Sequence, residues 1–259
     1  MLTPHTYALI GKNISYSFSR DYFAKKFKKE QITDAIYINF DIQTIDELPE
    51  LILKTPSLCG MNVTIPYKEQ ILGYLTHKNN ELELIGACNT IKVLPTGVLK
   101  GYNTDYIGFS ESLKPLLKPH HTQALILGTG GASKAVAFSL GQLGISYLFV
   151  SRKASSRAIT YQQLDKVVME QNPLIINTTP LGTYPNIKEA PPIPYHLITP
   201  EHLLYDLIYN PAETTFLSRG KQQGAIVKNG YEMLVLKAEA SGRIWNSIYK
   251  VRLFFLEER

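Results

Sequence analysis

The run Leu125-Ile126-Leu127-Gly128-Thr129-Gly130-Gly131-Ala132-Ser133 passes from an apolar segment into a glycine turn and then into a helical pattern. An apolar strand that enters a helix through so tight a turn calls for parallel pairing and a crossover connection, which restricts the chain more than any other feature. Gly128 permits the turn, Gly130 lets backbone N–H groups approach a phosphate, and the helix start at Gly131 and Ala132 supplies partial positive charge. Residues 132–143 read as the helix, Gly144 as its stop and 147–150 as the next strand, a βαβ unit of about thirty residues. Segments 174–177, 203–207 and 225–227 read as further parallel strands. Little chain separates Arg152 from Pro173, so a trimmed, Rossmann-type doubly wound sheet is expected.

This turn is how a dinucleotide pyrophosphate is held, although Ser133 stands where the G-x-G-x-x-G pattern has Gly or Ala. Cofactor choice is read at the end of the second strand, where NAD enzymes offer a carboxylate to the ribose hydroxyls. Here the chain has Ser151-Arg152-Lys153. A guanidinium can stack on adenine and pair with a 2′-phosphate, so NADP is expected.

The first half reads as a separate α/β unit. Segments 7–11, 35–40 and 60–64 are strand-like, with helical patterns over 22–29 and 45–54, the second capped by Thr44. Strand and helix alternation implies a mainly parallel sheet, whose ligands bind at the carboxyl ends of the strands. A hairpin is expected over 89–94 and 98–102 around Pro95-Thr96-Gly97. Two polar clusters lie at strand ends: Asn62-Val63-Thr64-Ile65-Pro66-Tyr67-Lys68 and Asn103-Thr104-Asp105. A carboxylate beside Lys68 would favour its ammonium form, which can donate a proton to a carbonyl oxygen as hydride arrives. Ser17 and Ser19 stand at a helix start, where hydroxyls cap the helix or meet a substrate carboxylate. Residues 106–117 read as a linking helix and 233–255 as a helical tail that returns to the first unit. The expected domains are 1–105 plus 236–259 for substrate and 106–235 for the dinucleotide.

Composition excludes several classes. With 259 residues, 44% hydrophobic and 19% charged, the chain reads as globular. No apolar run reaches the roughly eighteen residues of a membrane span, and the N-terminus shows no signal-like pattern, so a cytoplasmic protein is expected. Cys59 and Cys88 lack the companions of a zinc site and read as buried thiols, with no metal expected. The net charge of +5 is scattered except at Lys25, Lys26, Lys28 and Lys29, which read as a solvated helix face and not as a nucleic-acid contact. A small-molecule substrate is expected, with no nucleic acid or membrane partner, in a monomer or homodimer.

Taken in order, Ser17-Phe18-Ser19, the 62–68 and 103–105 clusters, Gly86-Ala87-Cys88-Asn89-Thr90, the 128–132 turn, Ser151-Arg152 and Asn177-Thr178-Thr179-Pro180-Leu181-Gly182 resemble the successive motifs of the shikimate dehydrogenase family. The resemblance implies NADPH-dependent, reversible reduction of 3-dehydroshikimate to shikimate in aromatic amino-acid biosynthesis. It implies Lys68 and Asp105 as the catalytic pair, Ser17, Ser19 and Tyr209 at the substrate carboxylate, and Thr64, Asn89 and Asp105 at ring hydroxyls. It also implies cofactor contacts from Gly128, Gly130, Gly131, Ala132, Ser151, Arg152, Thr178 and Gly230, the last near the nicotinamide. Several positions depart from the pattern. Arg20 replaces a proline, and Lys237, expected among the substrate-binding residues, replaces a substrate-contacting glutamine; a cation without an acceptor either pairs with a site carboxylate or the ligand is held differently. A quinate or shikimate dehydrogenase using NAD, and a non-catalytic nucleotide-dependent binding protein, are the alternatives.

Overall fold

A computed structural model describes residues 4–15 and 17–246. The chain divides into two compact units, Met1–Thr104 with Ala238–Arg259, and Asp105–Lys237. The part of the helical tail expected beyond residue 246 lies outside the described residues.

The first unit contains β1 (His5–Gly11), α1 (Phe18–Lys29), β2 (Ala35–Asp41), α2 (Leu48–Lys54), β3 (Leu58–Val63), β4 (His77–Lys78), α3 (Asn80–Ile85), β5 (Thr90–Val93) and β6 (Leu99–Tyr102). The strands form one sheet in the order β2-β1-β3-β5-β6-β4. The β1–β2, β1–β3 and β4–β6 pairings are parallel, whereas β3–β5 and β5–β6 are antiparallel. Central β1 is buried along all but its first residue, as a strand with neighbours on both edges and layers on both faces must be. The 45–54 helix starts as a 3-10 turn, Ile45–Glu47, under a Thr44–Glu47 capping box before α2 proper. The hairpin turns at Gly97, whose φ of +79° is a left-handed conformation that glycine adopts without strain.

One face of this sheet packs Ile10, Leu48, Met61, Ile71 and Leu82 into an aliphatic core; burying each such side chain contributes roughly 1.5–3 kcal/mol. The other face is aromatic. Phe23 of α1 stacks on Tyr37 at 4.6 Å, and Tyr7 on Trp245 at 4.8 Å. Lys25, Lys28 and Lys29 are exposed on α1, while Lys26 is held by Glu30 and Glu239. Cys88 is buried, but Cys59 is only half-buried: it ends up beside the partly exposed ring of His5, with Sγ 3.2 Å from Nδ1.

The second unit contains α4 (Asp105–Leu113), β7 (Gln123–Leu127), α5 (Gly131–Gln142), β8 (Ser146–Ser151), β9 (Ala158–Thr160), α6 (Lys166–Gln171), β10 (Leu174–Asn177), β11 (Leu203–Asp206), α7 (Thr215–Gln222) and β12 (Ile226–Lys228). Helix α8 (Tyr231–Asn246) begins here and ends in the first unit. The strand order β12-β11-β10-β7-β8-β9 is parallel throughout, the doubly wound arrangement with its switch point beside β7. The trimming falls on a crossover and leaves the sheet complete, because β8 connects to β9 without a helix. Residues expected as one helix over 106–117 split into α4 and a 3-10 turn, Lys114–Leu116, since Pro115 has no N–H to continue the ladder. Both faces of the sheet are covered, by Phe109, Val136, Leu140 and Met233 on one side and Leu164, Met169, Phe216 and Leu217 on the other.

Candidate active site

In the first unit the sequence-selected polar residues gather at the carboxyl ends of β1 and β3. Ser17 caps α1, its Oγ accepting from Ser19 N at 3.2 Å. Burial pushes the Tyr37 hydroxyl far above the usual phenol range, with a Ser19 hydrogen bond pulling the other way. Tyr37 in turn donates to Asn62 Oδ1 at 2.8 Å. Thr64 N donates to Ile10 O at 2.9 Å, and a Cβ on Gly11 would lie 2.5 Å from Thr64 Cγ2, so the β1 and β3 ends approach as closely as glycine allows.

Lys68 is half-buried, and the chain around it is fixed on both sides. Buried Tyr67 donates to Ile42 O at 2.8 Å, and Cys88 N donates to Lys68 O at 2.7 Å. Asn89 is buried, and its Oδ1 accepts from Thr104 N at 2.6 Å and Thr90 Oγ1 at 3.1 Å. Asn62 Nδ2 reaches Ser241 Oγ at 2.9 Å, and Ser241 Oγ lies 2.8 Å from Thr90 Oγ1. This buried network positions the Asn103-Thr104 segment that ends at Asp105, because every member has its polar atoms engaged in a low-dielectric interior. Ser241 and Tyr37 were not selected from the sequence, and Thr90 entered only as the last residue of the 86–90 motif.

In the second unit Asp105 begins α4 with 1% of its surface exposed. Lys237 Nζ lies 3.2 Å from Asp105 Oδ1, so the cation at this position is paired with a carboxylate. Tyr209 is exposed on the loop after β11. Lys68 belongs to the first unit and Asp105 to the second.

The glycine turn has the properties a dinucleotide needs. Gly128 has φ +108°, and a Cβ there would lie 2.8 Å from Thr178 Oγ1; either condition alone excludes a side chain. Thr178 itself is tied down, with Oγ1 donating to Leu127 O at 2.7 Å. Gly130 caps α5, and nothing within 4 Å would meet a Cβ on it. The Cβ direction of Gly130 is thus open at the N-terminus of a twelve-residue helix, which fits a pyrophosphate. Gly131 and Ala132 form the first turn of α5. Val150 pairs with Leu127, so Ser151 and exposed Arg152 follow at the same sheet edge. No carboxylate occurs in Ser151-Arg152-Lys153, which suits a 2′-phosphate. Gly230 is buried, and any side chain on it would strike the Leu207 carbonyl.

Beside this edge lies a second buried network. Asp206 Oδ2 accepts from Thr214 Oγ1 at 2.6 Å, while Oδ1 accepts from Asn177 Nδ2 and Ile208 N, both at 3.0 Å. Burial pushes its carboxyl up to about 6, with these donors pulling it back. Among the described residues no group of three or more His, Cys, Asp or Glu could hold a metal ion, and no helix is long and apolar enough to cross a membrane.

The family model described as the shikimate dehydrogenase substrate binding domain matches residues 9–91. Shikimate dehydrogenase (NADP(+)) of Caldicellulosiruptor saccharolyticus is 33% identical over 267 residues, covering 96% of this chain and 95% of the relative. The chain belongs to the shikimate dehydrogenase family. Shikimate dehydrogenase 1 of Peptoclostridium difficile superposes with a TM-score of 0.80 at 36% identity, covering 98% of both chains. Shikimate 5-dehydrogenase of Thermus thermophilus, solved in complex with NADP(H) and shikimate, superposes with a TM-score of 0.82 at 29% identity and 93% coverage of both chains. The similarity to family members therefore spans both units, well beyond the stretch that the domain model matches.

Proposed function

We propose that this chain catalyses the NADPH-dependent, reversible reduction of 3-dehydroshikimate to shikimate, in the cytoplasm and as a step of aromatic amino-acid biosynthesis. The observation that carries this reading is Asp105, a buried carboxylate at the head of α4, following directly on the network-held Asn103-Thr104 segment. Bound NADPH supplies the hydride. The α5 N-terminus and the Gly128–Gly131 turn hold its pyrophosphate, Ser151 and Arg152 its 2′-phosphate, and Thr178 and Gly230 line its remaining path.

Substrate is held through its carboxylate by Ser17, Ser19 and Tyr209, and through its ring hydroxyls by Thr64 and Asn89. Lys68 donates the proton that the carbonyl oxygen needs as hydride arrives, and Asp105 orients the ammonium and accepts from a ring hydroxyl. In the reverse direction Lys68, neutral, takes the proton from the hydroxyl. The chain works as a monomer or homodimer.

Following nicotinamide absorbance with shikimate and either NADP or NAD tests the assignment. Turnover with NADP is expected; a protein that reduces neither cofactor is not this enzyme. Lys68→Ala should lower kcat by about three orders of magnitude or more with little change in shikimate KM. Unchanged turnover would remove Lys68 from the chemistry.

A further inference from the structure

Asp105 and Gly108 are three residues apart and lie on one face of α4; Met233 and Lys237 are four apart and lie on one face of α8. These faces meet without an intervening side chain. A Cβ on Gly108 would stand 2.5 Å from Met233 O and 3.1 Å from both N and Cβ of Lys237. This backbone contact fixes where the Lys237 side chain begins, and its Nζ reaches Asp105 Oδ1 at 3.2 Å.

The two ends of the pair sit in different surroundings: the Asp105 side chain is 2% exposed and that of Lys237 29%. A buried carboxylate is costly unless an opposite charge accompanies it. Lys237 and Asp105 belong to the same unit, whereas Lys68 belongs to the other. The second unit therefore carries its own counter-ion for this carboxylate. An ammonium has three donors and no acceptor, so it can serve the carboxylate only as a cation, with its reach set by the α4–α8 contact.

We propose that Lys237 is a positioning residue for the reaction: its ion pair fixes the orientation of the Asp105 carboxylate independently of Lys68. This inference rests on the dehydrogenase reading above. Acting through Asp105, Lys237 affects turnover more than it affects the binding of substrate.

The test is steady-state oxidation of shikimate with NADP by the wild type, Lys237→Met, Lys237→Arg, Asp105→Asn and the Lys237→Met/Asp105→Asn double variant. Lys237→Met is expected to lose about tenfold in kcat with shikimate KM changed less than about threefold, and Lys237→Arg to recover most of that loss. On the Asp105→Asn background the same Met substitution should cost less than about twofold, since the carboxylate through which it acts is gone. An equal fold loss on both backgrounds, a loss confined to KM, or an Arg variant as impaired as Met overturns the proposal while leaving the dehydrogenase reading standing. A wild type that turns over shikimate with neither NADP nor NAD overturns that reading, and this proposal with it.

Discussion

Gly108 faces the main chain of Met233 so closely that a Cβ on the glycine would stand 2.5 Å from the Met233 carbonyl oxygen. Alanine is the better helix former by about 1 kcal/mol, but overpacking against a neighbour that cannot rotate away costs about 1–3 kcal/mol. The clash wins because the atom struck is backbone. Gly108→Ala is expected to lower the thermal midpoint by several degrees and to reduce turnover, because the Lys237–Asp105 pair loses its spacing. An unchanged midpoint would show that α4 and α8 have room for a methyl group between them.

Asp206 gives the second unit a pH dependence of unusual sign. Its carboxyl is raised to about 6 by burial, so between the ordinary carboxylate range and that value the folded state binds the proton and the unfolded state does not. Stability contributed by this group is therefore present at low pH and falls as pH rises towards 6, by roughly 3 kcal/mol at most. Urea midpoints of the wild type minus those of Asp206→Asn, measured across pH 4 to 7, should trace that fall. Thr214→Val, which removes the Oγ1 donor, should move it to higher pH. A flat difference curve would refute the assignment.

His202 acts in the opposite direction. Its Nδ1 accepts from Thr199 N at 3.1 Å and its Nε2 donates to Met169 O at 3.1 Å, an arrangement only the neutral ring can make. Burial holds it below the ordinary imidazole range, as it does His121. Unfolded chains take up these protons first, so the stability is present above about pH 6.5 and is lost as the solution is acidified. Proton NMR of the imidazole resonances should show two histidines that resist protonation below that point. Ordinary titration of all of them would contradict the hydrogen bonding.

The chain has one tryptophan, and Trp245 reports on the aromatic face of the first unit. It is 2% exposed and donates from Nε1 to Ile91 O at 3.0 Å, and a Cβ on Gly60 would strike its indole ring. Gly60→Ala should red-shift the emission and cost about 1–3 kcal/mol. Emission identical to wild type would mean that the ring is not seated against β3.

Arg152 is exposed directly after β8, in a Ser151-Arg152-Lys153 run that holds no carboxylate. Removal of a charge-assisted hydrogen bond typically costs about 1.5–3 kcal/mol, or roughly tenfold to a hundredfold in affinity. Arg152→Ala should weaken NADP by that factor and leave NAD nearly unaffected, as read from kcat/KM with each cofactor. Equal losses for the two would place the guanidinium away from the 2′-phosphate.

Most of the strand framework could be read from the chain because its signals are local. The apolar runs of β1, β7, β10 and β11 and the stops at Gly97 and Gly144 declare themselves within a few residues. The two-residue β4, the three-residue β9 and the six-residue α3 and α6 are too short to show a period, and α7, although amphipathic behind its Thr214 cap, is only eight residues long. The polar network escaped for another reason. Ser241 meets Asn62 and Thr90 across some of the longest separations in the chain, and no local pattern encodes such a meeting. For Lys237 the sequence left two alternatives, and the structure puts its ammonium on Asp105.

The second unit is one unbroken stretch, Asp105–Lys237, whereas the first is interrupted and resumes at Ala238. Trp245 and Ser241, from that late segment, fill the aromatic face and the polar network of the first unit. During synthesis the ribosome therefore completes the nucleotide-fold portion while the earlier-made portion still lacks a wall. The part of the protein that is translated first is the last to have all its pieces.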